Sequence, residues 1–148
     1  MDARREEAVE RALAYPHASP VGSFLLDDDG VRDASALRPD EPDLGARTPL
    51  LAYGSNAAPG VLARKLGGTV RGAPVLGLRA TLADFDVVYS AHVSRYGSVP
   101  ANLRASPRAE LPVFVLHLDA AQLDLIASTE PNYDLVELSG IACALADG

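Results

Sequence analysis

Between residues 48 and 145 the apolar positions fall mostly in short runs, and only a few stretches space them at helical intervals. From Thr69 to Leu118 the runs contain Val70, Val75, Leu76, Leu78, Val87, Val88, Tyr89, Val93, Tyr96, Val99, Val113, Phe114, Val115 and Leu116, and Gly or Pro interrupts them repeatedly. That pattern predicts several closely spaced β-strands. Strands this close favour a small, strongly bent sheet or a barrel. Upstream, Leu50-Leu51-Ala52-Tyr53 reads as a buried strand and Gly54-Ser55-Asn56 as a turn. Val61 to Leu66 then reads as a helix that Gly67-Gly68 stops. Pro59 fits its first turn, where a missing N–H leaves no bond unmade.

The best-marked helix starts at Asp119. Asp119 and Gln122 form a capping-box pattern, and Leu118 with Leu123 forms a hydrophobic staple. The helix runs to about Thr129, ahead of Pro131. Tyr133 to Leu138 reads as a strand, and a second short apolar strand follows Gly140. At the other end, Asp2 caps a helix to about Tyr15, with a narrow stripe of Ala8, Val9, Ala12 and Leu13. Residues 16–47 carry recurrent Pro and Asp, and only Ser23 to Leu26 looks capable of forming a strand. The pattern divides the chain into an N-terminal helix (1–15), a mostly irregular arm (16–47) and a domain of α+β class with a few short helices (48–148).

Composition narrows the function classes. The 148 residues suffice for one domain with a real core. The formal charge of −7 argues against non-specific nucleic-acid binding, which needs a surplus of Lys and Arg. Asp27-Asp28-Asp29 reads as a solvated turn before Gly30 rather than a metal site. His17, His92 and His117 show no metal-ligand spacing, and no phosphate loop or dinucleotide fingerprint is present. Neither a metal nor another cofactor is therefore expected. No apolar run has the length of a membrane span. The lone Cys143 excludes an intrachain disulfide and suits a cytoplasmic protein. Its small apolar neighbours suggest that it packs rather than reacts.

Two places carry candidate chemistry. A buried strand running through Gly54 into a helix exposes backbone N–H groups that can hold a carboxylate or a developing oxyanion. Ser55 and Asn56 add short polar side chains there, and either could equally cap the helix. The second place is Glu130. Leu123, Ile126, Ala127 and Glu130 share one helical face, so Glu130 either ends a buried stripe or frays outward into water. In the first case desolvation raises its pKa toward the range useful for proton transfer. Tyr53 and Tyr133, taken singly, read as core aromatics with a hydroxyl reaching outward. Nothing adjacent in sequence supplies Ser55 with a base.

Leu51-Ala52-Tyr53-Gly54-Ser55-Asn56 resembles the opening signature of the γ-glutamylcyclotransferase-like superfamily, an apolar strand ending in Tyr-Gly-Ser-Asn. Gly97-Ser98-Val99-Pro100-Ala101-Asn102-Leu103 is similar to a later stretch of that family. Leu123 to Glu130 followed by Tyr133 matches the order of its helix, glutamate and tyrosine strand. The resemblance covers roughly residues 48–145. It implies a small mixed α/β domain that cyclises a γ-glutamyl amine to 5-oxoproline and frees the amine, with no enzyme nucleophile. It implies that Glu130 transfers protons and that Tyr53, Gly54, Ser55, Asn56 and Tyr133 line the substrate site. Ala127 and Pro131 depart from the family, which commonly has Asp before the glutamate and Gly after it. The alternatives are a non-catalytic small-ligand or protein-binding module on the same fold and an amide-cleaving enzyme that uses water. A small γ-glutamyl molecule, and neither nucleic acid nor membrane, is the expected partner.

Overall fold

A computed structural model of the chain describes residues 6, 7, 9, 10, 13, 14, 17–34, 44–94 and 99–146. The fold is α+β: among the described residues, one six-stranded antiparallel sheet with two short helices packed on it, besides the helical residues near the N-terminus. The strands are β1 (Phe24–Asp27), β2 (Gly30–Asp33), β3 (Thr48–Ala52), β4 (Val75–Tyr89), β5 (Ala101–Leu118) and β6 (Cys143–Leu145). The helices are α1 (Pro59–Leu66) and α2 (Ala120–Ser128). The strand order is β2-β1-β4-β5-β3, and β6 pairs β4 beyond the end of β1. Of the two expected forms it is a sheet, since no pairing among the described residues joins β2 to β3.

The long hairpin of β4 and β5 organises everything else. Its register runs unbroken from Leu76↔His117 to Ala83↔Glu110, then shifts so that Phe85 faces Ala105. At the shift Asp84 and Arg108 both have positive φ, 63° and 68°. The Arg108 N–H donates to Asp84 Oδ1 at 2.7 Å, which pins the irregularity.

Alternation along the strands gives two faces. Val75, Gly77, Leu26, Phe24, Leu116, Leu118, Phe114, Leu50 and Ala52 point toward the helices by register. There they meet Leu62, Leu66 and Ile126 in the main core. Leu76, Leu25 and Leu78 pack on the opposite face, as do Ala80, Leu82 and Val113. Gly77 has a steric reason to be glycine. A Cβ there would overlap the Phe24 ring, which lies tilted against Phe114 with centroids 5.5 Å apart.

Within the expected, mostly irregular arm of residues 16–47, the described residues 17–34 are not irregular throughout. They supply the β1–β2 hairpin, and Phe24, Leu25 and Leu26 are each at most 1% exposed. The strand was legible, but its pairing with Val75–Gly77 is non-local and left no trace in the flanking Pro and Asp residues. The Asp27–Gly30 turn forms as expected, with the Asp29 N–H donating to Asp27 Oδ1 at 3.0 Å and Arg32 Nε to Oδ2 at 3.0 Å.

Other expectations are also corrected. Val70 lies in a 3₁₀ turn (Gly67–Val70), not a strand. Tyr133 to Leu138 is not a strand; these residues are exposed and pair with no neighbour in the sheet. Cys143 is exposed on β6 rather than packed. Of the first segment, Glu6, Glu7, Val9, Glu10 and Leu13 are helical, with Val9 and Leu13 exposed. Asp2, Ala8, Ala12 and Tyr15 lie outside the described residues, as do Tyr96, Gly97 and Ser98. No described helix is long and apolar enough to cross a membrane.

The α2 start is as expected. The Gln122 N–H donates to Asp119 Oδ1 at 2.8 Å, and the Asp119 N–H returns a bond to Gln122 Oε1 at 3.1 Å. Gln122 is also fully buried, and its Nε2 donates to the Thr69 and Ala73 carbonyls. Every polar atom of this side chain is thus paired, which removes the cost of burying an amide.

His117 is the counter-example, because its Nδ1 is buried without a partner. Burial, and then the nearby Arg47 charge, hold its pKa below the usual 6.5. The folded chain therefore keeps this imidazole neutral where the unfolded chain takes up a proton. Stability is expected to fall as pH drops through 6.5 toward the lower folded value, then level off. Urea unfolding at a series of pH values, compared with His117→Leu, checks this: the variant should lose that part of the slope.

Candidate active site

The Tyr53–Asn56 turn leaves β3 through Gly54, whose backbone at φ −128° and ψ −141° turns the chain into a 3₁₀ turn, Ser55–Ala57. Only after Ala58 does α1 begin, with Pro59 at its start. The expected direct run from strand to helix is therefore interrupted, and α1 opens on a residue with no N–H to offer. Neither Ser55 nor Asn56 caps a helix, because neither element has a side-chain cap bond.

Asn56 instead reaches across the fold to Glu130. Its Nδ2 donates to Glu130 Oε1 at 3.0 Å. Lys65 Nζ donates to Asn56 Oδ1 at 2.8 Å and to the same Glu130 Oε1 at 2.5 Å. The three side chains form a closed triangle, and both bonds to the carboxylate fall on one oxygen. The Lys65 and Glu130 side chains are only 17% and 26% exposed, so water screens the pair weakly. Glu130 thus neither sits alone in an apolar pocket nor frays into solvent. It lies one turn beyond the buried Ile126, held by the Glu130 N–H bond to the Ala127 carbonyl at 3.1 Å. Ala127, expected on the buried stripe, is exposed, and Gln122 takes its place on the inner face.

Tyr53 joins this triangle to a cavity. Burial raises its pKa above 10.0, the Leu103 backbone hydrogen bond opposes that rise, and the Glu130 charge adds to it. The phenol therefore stays protonated at neutral pH and can donate a hydrogen bond. Tyr53, Gly54 and Ser55 line a cavity of about 420 Å³, together with Arg79, Tyr89, Ala101 and Phe114 from the β4–β5 hairpin and His17, Ser19 and Pro20 from upstream of β1. Asn56, Lys65 and Glu130 are not among its lining residues. Tyr133 links the two: its N–H donates to the Glu130 carbonyl at 3.1 Å and its hydroxyl to the carbonyl of Ala101, a lining residue of the cavity, at 3.0 Å.

The structure thus brings Asn56 and Glu130 together, places Tyr53, Gly54 and Ser55 on the cavity, and sets Tyr133 between Glu130 and Ala101 without lining the cavity itself. Sequence reasoning missed Lys65 and Arg79. A signal for Lys65 existed: it stands four residues after Val61 and three after Leu62, on the apolar face of α1. Arg79 is an isolated cation inside a β run, between Leu78 and Ala80. Among the described residues no group of three or more His, Cys, Asp or Glu is placed to hold a metal ion.

Comparison with protein-family models, with curated proteins and with solved structures finds no match to this chain.

Proposed function

We propose that the chain is a γ-glutamylcyclotransferase-like enzyme, which cyclises a γ-glutamyl amine or amide to 5-oxoproline and releases the free amine. The observation that carries this reading is the 3.0 Å bond from Asn56 Nδ2 to Glu130 Oε1, between residues 74 positions apart. It puts the turn and the carboxylate that the resemblance pairs in direct contact.

The chemistry needs little else from the protein. The substrate's α-amine attacks its own γ-carbonyl carbon, closing a five-membered ring as the bond to the leaving amine breaks. Over the reaction the α-ammonium gives up two protons and the leaving amine takes up two. A single carboxylate that accepts and donates in turn returns to its starting state. In this reading Glu130 does so, its Oε2, which makes no bond among the described residues, carrying the proton while Lys65 and Asn56 hold Oε1. The Tyr53 hydroxyl and the turn amides donate to the developing oxyanion. Confinement in the cavity keeps the amine against the carbonyl and provides much of the acceleration.

One observation favours a second reading. Glu130 is engaged by a lysine and does not line the cavity, as befits a binding module in which the triangle only clasps the end of α2 to the Asn56 turn. The test is incubation of the purified chain with a panel of γ-glutamyl amines and dipeptides, following 5-oxoproline and free amine by mass spectrometry. Both products in equal amounts are expected. Amine without 5-oxoproline would mean that water is the nucleophile. Neither product, with the chain folded, would favour the binding module.

A further inference from the structure

The cavity has a distinct electrostatic character. The chain carries a formal charge of −7, yet no Asp or Glu lines this space, and its one permanently charged lining residue is Arg79. Arg79 stands in a cross-sheet row with Phe114 and Ala52, through the β4–β5 and β3–β5 registers. Residues opposite one another share a face, so Arg79 projects on the same side as the residue that leads into Tyr53–Gly54–Ser55. Its neighbours along that face are Gly77 and Phe114, which are buried, and Thr81, which is half-buried.

The guanidinium is held but not used up. Nη1 donates to the Val21 carbonyl, and the Arg79 backbone N–H donates to Ser23 Oγ at 2.9 Å. Both bonds tie the segment before β1 to the rim of the cavity, and the Nη1 bond orients the guanidinium. Among the described residues Nε and Nη2 make no hydrogen bond, and no carboxylate pairs with the group. A fixed guanidinium with an open Nε/Nη2 edge matches the two oxygens of a carboxylate. A space of about 420 Å³ is at the small end of ligand pockets, suited to an amino acid derivative or a dipeptide.

We propose that Arg79 is the carboxylate anchor of this cavity, so that its ligands are small carboxylates whose uncharged end lies toward the Tyr53–Gly54–Ser55 turn. The inference deepens the cyclotransferase reading and, for the identity of the carboxylate, rests on it: the anchored group is then the one beside the attacking amine.

Two probes isolate the charge without turnover. Glutaric acid monoamide has the carboxylate and amide of a γ-glutamyl amide but no α-amine, so it cannot cyclise. Glutaramide replaces its carboxylate with a neutral amide. Calorimetric titration of the full chain with each is expected to show the monoamide binding roughly tenfold tighter or better. Arg79→Met should bind both alike at the glutaramide level. Arg79→Lys, which keeps the charge without the fork, should retain a smaller preference and stands in if the Met variant does not fold. Equal affinity of the wild type for the two probes, binding of neither, or an undiminished preference in a folded Arg79→Met or Arg79→Lys protein would overturn the proposal. Charge preference in a chain that forms no 5-oxoproline would sink the cyclotransferase reading and leave Arg79 as the anchor. Turnover without charge preference would do the reverse.

Discussion

Glu130→Gln is expected to lower 5-oxoproline formation by about 10²- to 10⁴-fold, the usual contribution of a positioned proton-transfer group. The amide keeps an oxygen for Asn56 and Lys65 to bond, so the triangle loses a charge but not its acceptor. The stability cost should accordingly stay below that of breaking a fully buried pair, at about 1–2 kcal/mol. Turnover measured beside urea unfolding separates the two roles. A folded variant with undiminished turnover would show that the carboxylate is a clasp and that another group moves the protons. A variant destabilised by several kcal/mol would mean that the Lys65 charge, left without its partner in a poorly hydrated site, dominates over any chemistry.

The largest stability effect is expected at Phe24. Phe24→Ala should cost about 3–5 kcal/mol, the range for removing a buried phenylalanine. The ring is 1% exposed, stacks at a tilt on Phe114, and fills the space that the missing side chain of Gly77 leaves open. Gly77→Ala alone should cost about 1–3 kcal/mol by overpacking against that ring. In the Phe24→Ala background the added methyl has room, so the double variant should lose less than the sum. Full additivity in thermal or urea unfolding would show that the two residues do not meet. A small effect of Phe24→Ala would return residues 16–34 to the role of a dispensable arm.

What the sequence made legible was local. Asp119, Gln122, Leu118 and Leu123 lie within six consecutive positions, and their joint signal needs no knowledge of the rest of the fold. The same holds for Gly67, which ends α1 at φ +53°, and for the aspartates of the β1–β2 turn. What was lost was long-range. Phe24–Leu26 is a short apolar run among prolines and aspartates, and only its pairing with Val75–Gly77 makes it core. Tyr133–Leu138 has the composition of a strand, but an extended run becomes one only beside a partner, and no other described strand pairs with it. At the candidate site the turn and the glutamate could be named, because each belongs to a recognisable local pattern. Lys65 could not be tied to them, since a basic residue near a helix C-terminus is ordinarily a solvated complement to the dipole. Nor could the separation of Glu130 from the cavity be read, because it depends on how α2 docks.

The walls of that cavity come from the segment before β1, the end of β3 and both strands of the long hairpin. No contiguous stretch of chain can therefore bind what the cavity holds, and a ligand there recognises only the assembled sheet. Its binding free energy adds to the stability of the whole fold by mass action, so the hairpin that buries Phe24 and the pocket that presents Arg79 are thermodynamically linked. Occupancy and folding are then two readings of one equilibrium: substitutions that loosen β1 weaken the ligand, and the ligand in turn protects β1 from opening.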